Sequence, residues 1–219
     1  KADLTRARGS PSRSPLSKRF EMSKFTFPKT ILSRPVYGTL EPRTGAAHLF
    51  IADAEGAEAI LDVATPDMMA RAHIIFIAKG TDYEGALKAL SPAIFYAGPT
   101  YSAAEPRIHK TLGDAKMGLQ VYLAGTEGLM GQAMQAATLA GIPHTAIQTE
   151  HRGSTARRMQ CVHCKGITED VEVDPFQCSH CGLHLFVRDH YSRRLAAYQG
   201  VCIDAEVPGE LPPAEEIFP

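Results

Sequence analysis

AHLFIADAEGAEAILDVATPDMMARAHIIFIAK, residues 47–79, decides the fold. AHLFIAD (47–53) is an apolar run of strand length, EGAEAILDVATP (55–66) spaces its apolar residues as a helix does until Pro66, and HIIFIAK (73–79) is strand-like again. Continuously apolar strands are covered on both faces, and strands alternating with helices of about ten residues imply βαβ units and a parallel sheet. The alternation continues outward. DYEGALKALS (82–91) reads as a helix, AIFYAG (93–98) as a strand, and EPRIHKTLGDA (105–115) as a helix after a polar loop. LQVYLAG (119–125) is a fourth strand, TEGLMGQAMQAATLAG (126–141) a helix whose last glycine suits a C-cap, and TAIQTE (145–150) a fifth strand. The expected fold is α/β, with a five-stranded parallel Rossmann-like domain built by right-handed crossovers.

The pattern stops after Glu150. HRGSTARRMQ is a polar, basic linker, and from 161 to about 202 cysteine, histidine and aromatic residues concentrate without any βαβ rhythm. The expected organisation is therefore a first domain over 25–150 and a small β-rich domain over 151–207. Residues 1–24 hold Lys1, Arg6, Arg8, Arg13, Lys18, Arg19 and Lys24 against Asp3 and Glu21, with Ser, Pro and Gly between them. Such a segment buries too little apolar surface to offset its ordering entropy, and it reads as a disordered basic arm. Met22 opens a stretch, MSKFTFPKTILSRPVYGTL, that reads like the beginning of a domain. At the other end Asp204, Glu206, Glu210, Glu215 and Glu216 have no Lys or Arg among them, and 208–219 is an acidic, Pro-rich tail. Each tail reads as a solvated segment or as one that docks on a partner.

At 219 residues the chain has the size of one large domain or two small ones. Hydrophobic residues make up 44%, charged residues 21%, and the net charge is −1. This balance excludes an intrinsically disordered protein and opposes capture of nucleic acid or an anionic membrane by the chain as a whole. No apolar run approaches the ~20 residues of a bilayer span. The first twenty residues lack the apolar stretch of a secretory signal, so the expected compartment is the cytosol. Thiols stay reduced there, and five cysteines call for an explanation other than disulfides.

Cys161-Val-His-Cys164 and Cys178-Ser-His-Cys181 supply it. A C-x-x-C turn brings two thiolates close enough for one metal ion, and two such turns complete a tetrahedron. The intervening GITEDVEVDPFQ alternates β-formers and contains a turn-like Asp-Pro, so a hairpin carries the second pair back onto the first. The site is expected to hold structural zinc on Cys161, Cys164, Cys178 and Cys181, because a closed four-thiolate shell leaves no open position for chemistry and a small module needs the metal to fold. Iron in a rubredoxin-like site is the alternative. The spacing of a plant-type iron–sulfur cluster is absent. His163 and His180 lie inside the turns, where four cysteines already satisfy the metal. Cys202 stands alone and reads as a small buried hydrophobe. His184, His190, Tyr191, Arg193 and Arg194 form a polar, basic cluster that is either solvated or a docking face.

In dinucleotide-binding folds the turn after the first strand is glycine-rich, so that backbone approaches a pyrophosphate at a helix N-terminus. Here that turn is Asp53-Ala54-Glu55-Gly56-Ala57-Glu58, where three carboxylates repel phosphate. Gly125-Thr126-Glu127-Gly128-Leu129-Met130 is a better candidate turn, though Glu127 again has the wrong charge. LFIADAEGAEAIL resembles a degraded first βα unit of the NAD(P)H-binding domain of ferredoxin reductases, and VYLAGTEGLM resembles that family's later Cys-Gly-Pro strand, with Ala124 and Thr126 in place of the cysteine and proline. IQTEH fits the last strand, which leads in phthalate-dioxygenase-type reductases into a ferredoxin; a ribbon takes that place here, and no flavin-binding barrel is expected ahead of residue 46.

A longer resemblance runs from GLQVYLAGTEGLMGQAMQAATLAGIP through TEHRGSTARRMQCVHC to FQCSHCGLHLFVRDHYSRRLAAYQGV. These stretches are similar to the DmmA family of small subunits of bacterial dimethylamine monooxygenase. The resemblance implies a subunit of an NADPH-dependent enzyme that oxidatively demethylates dimethylamine to methylamine and formaldehyde with O2. It also implies that haem, FMN and a 2Fe-2S cluster reside on partner subunits, a haem-containing catalytic chain and a flavin and iron–sulfur reductase. Glu150 matches a position near the nicotinamide pocket of the reductases. No spacing marks a general acid/base pair, an activated nucleophile or a haem ligand, so a structural, assembly role is expected, with no catalytic residue and no resident cofactor site in this chain. The rivals are presentation of NADPH at Gly125–Met130 and electron relay through iron. A nucleic-acid ribbon using Arg152, Arg157, Arg158, Arg188, Arg193 and Arg194 is the least favoured.

Overall fold

Five parallel strands form the first sheet: β1 (Ala47–Asp53), β2 (Ala72–Ile77), β3 (Ile94–Gly98), β4 (Leu119–Gly125) and β5 (Ile147–His151). Their order is β3-β2-β1-β4-β5, so the chain reverses direction across the sheet between β1 and β4. The computed structural model describes residues 34–207 and 209–218. The basic arm expected at 1–24 lies outside them. Both sheets belong to one compact unit. No helix among the described residues is long and apolar enough to cross a membrane.

The continuous apolar runs are explained by the two-residue period of a strand, which sends neighbours to opposite faces. Leu49, Ile51, Ile75, Ile77, Val121 and Leu123 face helices α4 (Tyr101–Gly113) and α5 (Glu127–Leu139). Phe50, Ala52, Ile74, Phe76, Tyr122 and Ala124 face α1 (Gly56–Val63), α2 (Pro66–Met69) and α3 (Glu84–Ala89). Two of the boundaries that differ from the sequence reading are set by threonine caps. Pro66, expected only to end a helix, also opens α2 at its first turn, capped by Thr65, whose hydroxyl accepts from Met68 N at 3.3 Å. Helix α4 starts at Tyr101 rather than Glu105, because the Thr100 hydroxyl caps it by accepting from Ala103 N at 3.3 Å. Pro106, the second residue of the helix read from the sequence, therefore sits inside α4 on its exposed side.

The second sheet has the order β7-β6-β11-β10-β9, from β6 (Arg157–Cys161), β7 (Ile167–Val171), β9 (Phe176–Gln177), β10 (His184–Ser192) and β11 (Ala197–Cys202). Strand β11 runs parallel to β6, and the other pairs are antiparallel. The acidic tail is exposed over 209–217, but its end is tied to the chain. Its β12 (Glu215–Glu216) pairs antiparallel with β8 (Val173–Asp174), and the Phe218 ring lies 4.0 Å from the Arg157 guanidinium. The acidic side chains remain outside while the backbone and one aromatic ring dock on the chain itself.

Candidate metal centre and the filled nucleotide crevice

Each C-x-x-C forms the turn of a hairpin: Cys161–Cys164 joins β6 to β7, and Cys178–Cys181 joins β9 to β10. The two turns repeat one backbone pattern. Cys161 N donates to Gly166 O at 2.9 Å and Lys165 N to Cys161 O at 3.0 Å; Cys178 N donates to Leu183 O at 2.9 Å and Gly182 N to Cys178 O at 3.0 Å. Lys165 (φ 63°) and Gly182 (φ 74°) occupy the same left-handed position, so the first turn forces a side chain into a conformation that suits the glycine of the second.

The four sulfurs converge within 4.8 Å of one another, with Cys161–Cys181 at 3.8 Å and Cys164–Cys178 at 3.7 Å. A regular tetrahedron with ~2.3 Å metal–sulfur bonds has edges of ~3.8 Å. The donor set therefore suits one tetrahedral metal ion. Burial works to raise the Cys178 thiol, but the N–H groups of Cys181 and His180 outweigh it and bring it down to about 6, which favours a thiolate. His180 is no part of the cluster; its Nε2 lies 2.8 Å from Ile167 O and ties the second turn to β7. Cys202 is only half-buried, has its sulfur 3.2 Å from Asp204 Oδ1, and is not one of the four convergent sulfurs.

The crevice at the C-terminal ends of β1 and β4 is where this topology receives phosphates. Asp53 fills it. Its carboxylate is fully buried and accepts from Thr126 N at 2.8 Å and from the Thr126 hydroxyl at 2.6 Å, while Lys79 Nζ approaches at 3.1 Å. The two glycines that looked like remnants of a phosphate turn serve this closure: a Cβ on Gly125 would stand 1.9 Å from Asp53 Oδ1, and one on Gly56 would stand 2.3 Å from Ala124 O. Burial works to lower the Lys79 ammonium, yet Asp53 and Asp170 outweigh it and hold its pKa above the ordinary value. The remaining cleft, about 690 Å³, lies between the sheet edge and β7, and Lys79–Asp170 at 3.6 Å and Arg158–Glu169 at 3.0 Å line it with paired charges.

The N-terminal turns of α5 are covered from the side. A Cβ on Gly131 would meet the Tyr191 hydroxyl at 2.3 Å and Ala196 Cβ at 2.9 Å, so the second sheet rests on this helix where only glycine fits. Glu127 receives the Tyr198 hydroxyl at 3.3 Å. Burial first, and then Glu127, push the phenols of Tyr37, Tyr191 and Tyr198 upward, with Tyr191 at about 12. This aromatic cluster around Glu127 escaped the sequence reading because its members lie far apart in the chain and no spacing links them.

Glu150 is buried and occupied, accepting from Leu40 N at 2.6 Å and Arg152 Nε at 2.7 Å. Arg152 also pairs with Asp62 at 3.1 Å. Arg157 is buried between the Tyr198 and Phe218 rings and bonds Asp189 at 2.8 Å. With Arg158 paired to Glu169, three of the six arginines proposed for nucleic acid are engaged within the chain. His184 and His190 stay apart from the arginines that line the α5 groove, where Tyr191, Arg193 and Arg194 meet.

Fold and site together define an α/β protein in which a five-stranded parallel sheet, with Asp53 seated between the ends of β1 and β4, carries a β module with four convergent cysteines. The chain belongs to the family of dimethylamine monooxygenase subunits of the DmmA-like type, whose N-terminal domain matches residues 29–147 and whose C-terminal domain matches 158–201. It is similar to the delta subunit of a heme-dependent oxidative N-demethylase from Ectopseudomonas mendocina (strain ymp), at 37% identity over 98 residues, 45% of this chain and 56% of the relative. The match thus spans little more than half of that relative's length. A phthalate dioxygenase reductase of solved structure aligns with a TM-score of 0.40 and 13% identity, over 61% of this chain and 46% of the reductase.

Proposed function

We propose that this chain is a non-catalytic assembly subunit of an NADPH-dependent monooxygenase that oxidatively demethylates dimethylamine to methylamine and formaldehyde with O2. It works in the cytosol beside a haem-containing catalytic subunit and a flavin and iron–sulfur reductase subunit. Family membership and the similar N-demethylase subunit support the type of complex. The observation that carries the non-catalytic role is Asp53, whose carboxylate sits on the Thr126 N–H and beside Lys79, where a cofactor phosphate would bind. Displacing it would separate a fully buried carboxylate from Lys79 and place phosphate beside the carboxylates of Glu55 and the displaced Asp53.

Zinc is the metal proposed for Cys161, Cys164, Cys178 and Cys181, with a structural role. When bound it supplies folding free energy and a closed shell, and the four side chains hold the two hairpin turns together. We assign residues 25–150 to the sheet-bearing part, 151–207 to the metal-bearing part and 208–219 to the tail.

Elemental analysis with a visible spectrum tests the metal. About one zinc per chain without colour is expected; iron with thiolate charge-transfer bands would place the chain on the electron path instead. Titration of the purified chain with NADPH tests the filled crevice. No saturation at millimolar cofactor is expected, and saturable binding would restore the cofactor-presenting role.

A further inference from the structure

An open groove of about 440 Å³ runs along α5 where residues 35–37 and the end of β10 flank it. Met130 and Met134 form its floor, and Val36 and Leu139 stand on its rims at 70% and 77% exposure. Large apolar side chains this exposed at the edges of an apolar groove mark a surface that another molecule covers. Methionine floors adapt their shape to what they receive.

Charge narrows the occupant. Arg193, Arg194 and His144 line the groove and no carboxylate does, although acidic residues slightly outnumber Lys and Arg in the chain. Neither arginine has an ion-pair partner among the described residues, in contrast to Arg152, Arg157 and Arg158 nearby in sequence. A small ligand buries most of its surface in its site; here both rims would remain wet. A protein segment covers floor and rims together.

We propose that this groove docks an acidic amphipathic segment of a partner subunit, its apolar side chains on Met134, Val36 and Leu139 and its carboxylates on Arg193 and Arg194. The assignment rests on the subunit reading above and names the surface through which this chain joins the complex. Helix-in-groove recognition of this kind draws affinity from a few apolar anchors and uses rim charge for orientation and on-rate.

The test uses the whole complex, with the full chain co-expressed beside the other subunits of its oxygenase. Leu139→Asp and the double variant Arg193→Glu/Arg194→Glu are expected to weaken assembly at least about tenfold, while Met117→Asp, at a 97% exposed site elsewhere, leaves it unchanged. Metal content and circular dichroism of the isolated variants, unchanged from wild type, separate lost docking from lost folding. A photo-crosslinking amino acid at position 139 identifies the occupant. A partner peptide that combines apolar residues with Asp or Glu supports the proposal. Cross-links only to this chain, in the same or a second copy, or wild-type assembly by the groove variants, overturn it while the subunit reading stands. Failure of the wild-type chain to join any complex overturns both.

Discussion

The parallel sheet and the cysteine-bearing sheet each have five strands, yet they are held in different ways. The first is buried on both faces, with Leu49, Ile51 and Val121 on one side and Phe50, Ile74 and Tyr122 on the other. The second has a single small core of Met159, Cys161, Val171, Phe176, Cys178, Leu185 and Tyr198, and two of those seven are cysteines of the metal cluster. A region with so little apolar burial does not offset its conformational entropy unaided. The comparison teaches that one region is held by buried area, while the other has four convergent cysteines and the support of α5 in its place.

The largest expected effect follows from that division. Cys178→Ser, or a strong chelator, removes a contribution on the order of 10 kcal/mol in such sites. Hydrogen exchange should then show β6, β7, β9 and β10 losing protection while β1 and β4 keep theirs. Phe50→Ala is the reciprocal change: loss of its ring, stacked 4.4 Å from Tyr122, costs about 3–5 kcal/mol in denaturant unfolding but leaves metal content at wild-type level. Uniform loss of protection in the cysteine variant would show that the two regions are one cooperative unit.

Support by α5 is tested at Gly131. The added methyl of Gly131→Ala meets Tyr191, and the net cost is about 1–2 kcal/mol after the better helix propensity of alanine. Tyr191→Phe removes the nearest clashing atom, so the double variant should recover part of the loss. Equal losses with and without Tyr191→Phe would place the strain elsewhere.

Asp189 carries a smaller, pH-dependent term. Burial works to raise its carboxyl, but hydrogen bonds from Arg34 and Arg157 outweigh it and hold the pKa below the ordinary carboxylate value. A lowered folded pKa means that the stabilisation is present above the unfolded pKa of ~3.9 and disappears as pH falls through the folded value. Asp189 is half exposed, so Asp189→Asn should cost only about 1 kcal/mol near neutrality. The gap between wild type and variant should close in acid; a gap that persists at pH 2 would assign the effect to packing.

The smallest effect has the opposite sign. Lys165→Gly gives the first turn the residue that the second has in Gly182, and relief of the left-handed strain should stabilise the metal-bearing hairpins by about 0.5–1 kcal/mol. Competition with a chelator reads it as a slower metal loss.

The inner strands were legible because they bury both faces, which leaves an apolar run that needs no partner to be recognised; AHLFIAD and LQVYLAG coincide with β1 and β4. The start of α4 was less legible, since Thr100 lies in a polar stretch that reads as loop and Pro106 draws the eye to a later first turn. The four cysteines were legible from spacing, because two sulfurs three residues apart already share a turn.

Chain order alone determined the parallel α/β sheet and each cysteine turn, since both follow from local periodicity and short spacing; the hairpin expected between the two turns does not form, because β7 and β9 lie at opposite edges of their sheet. Only the tertiary structure decided what became of the glycine turns. Asp53 and Thr126 are remote in sequence, as are Gly131 and Tyr191, and nothing in either segment states that a carboxylate fills the phosphate seat or that a sheet rests on the helix. Local patterns specify elements through backbone geometry, whereas the occupancy of a crevice depends on which distant side chains the crossovers bring to the same strand ends.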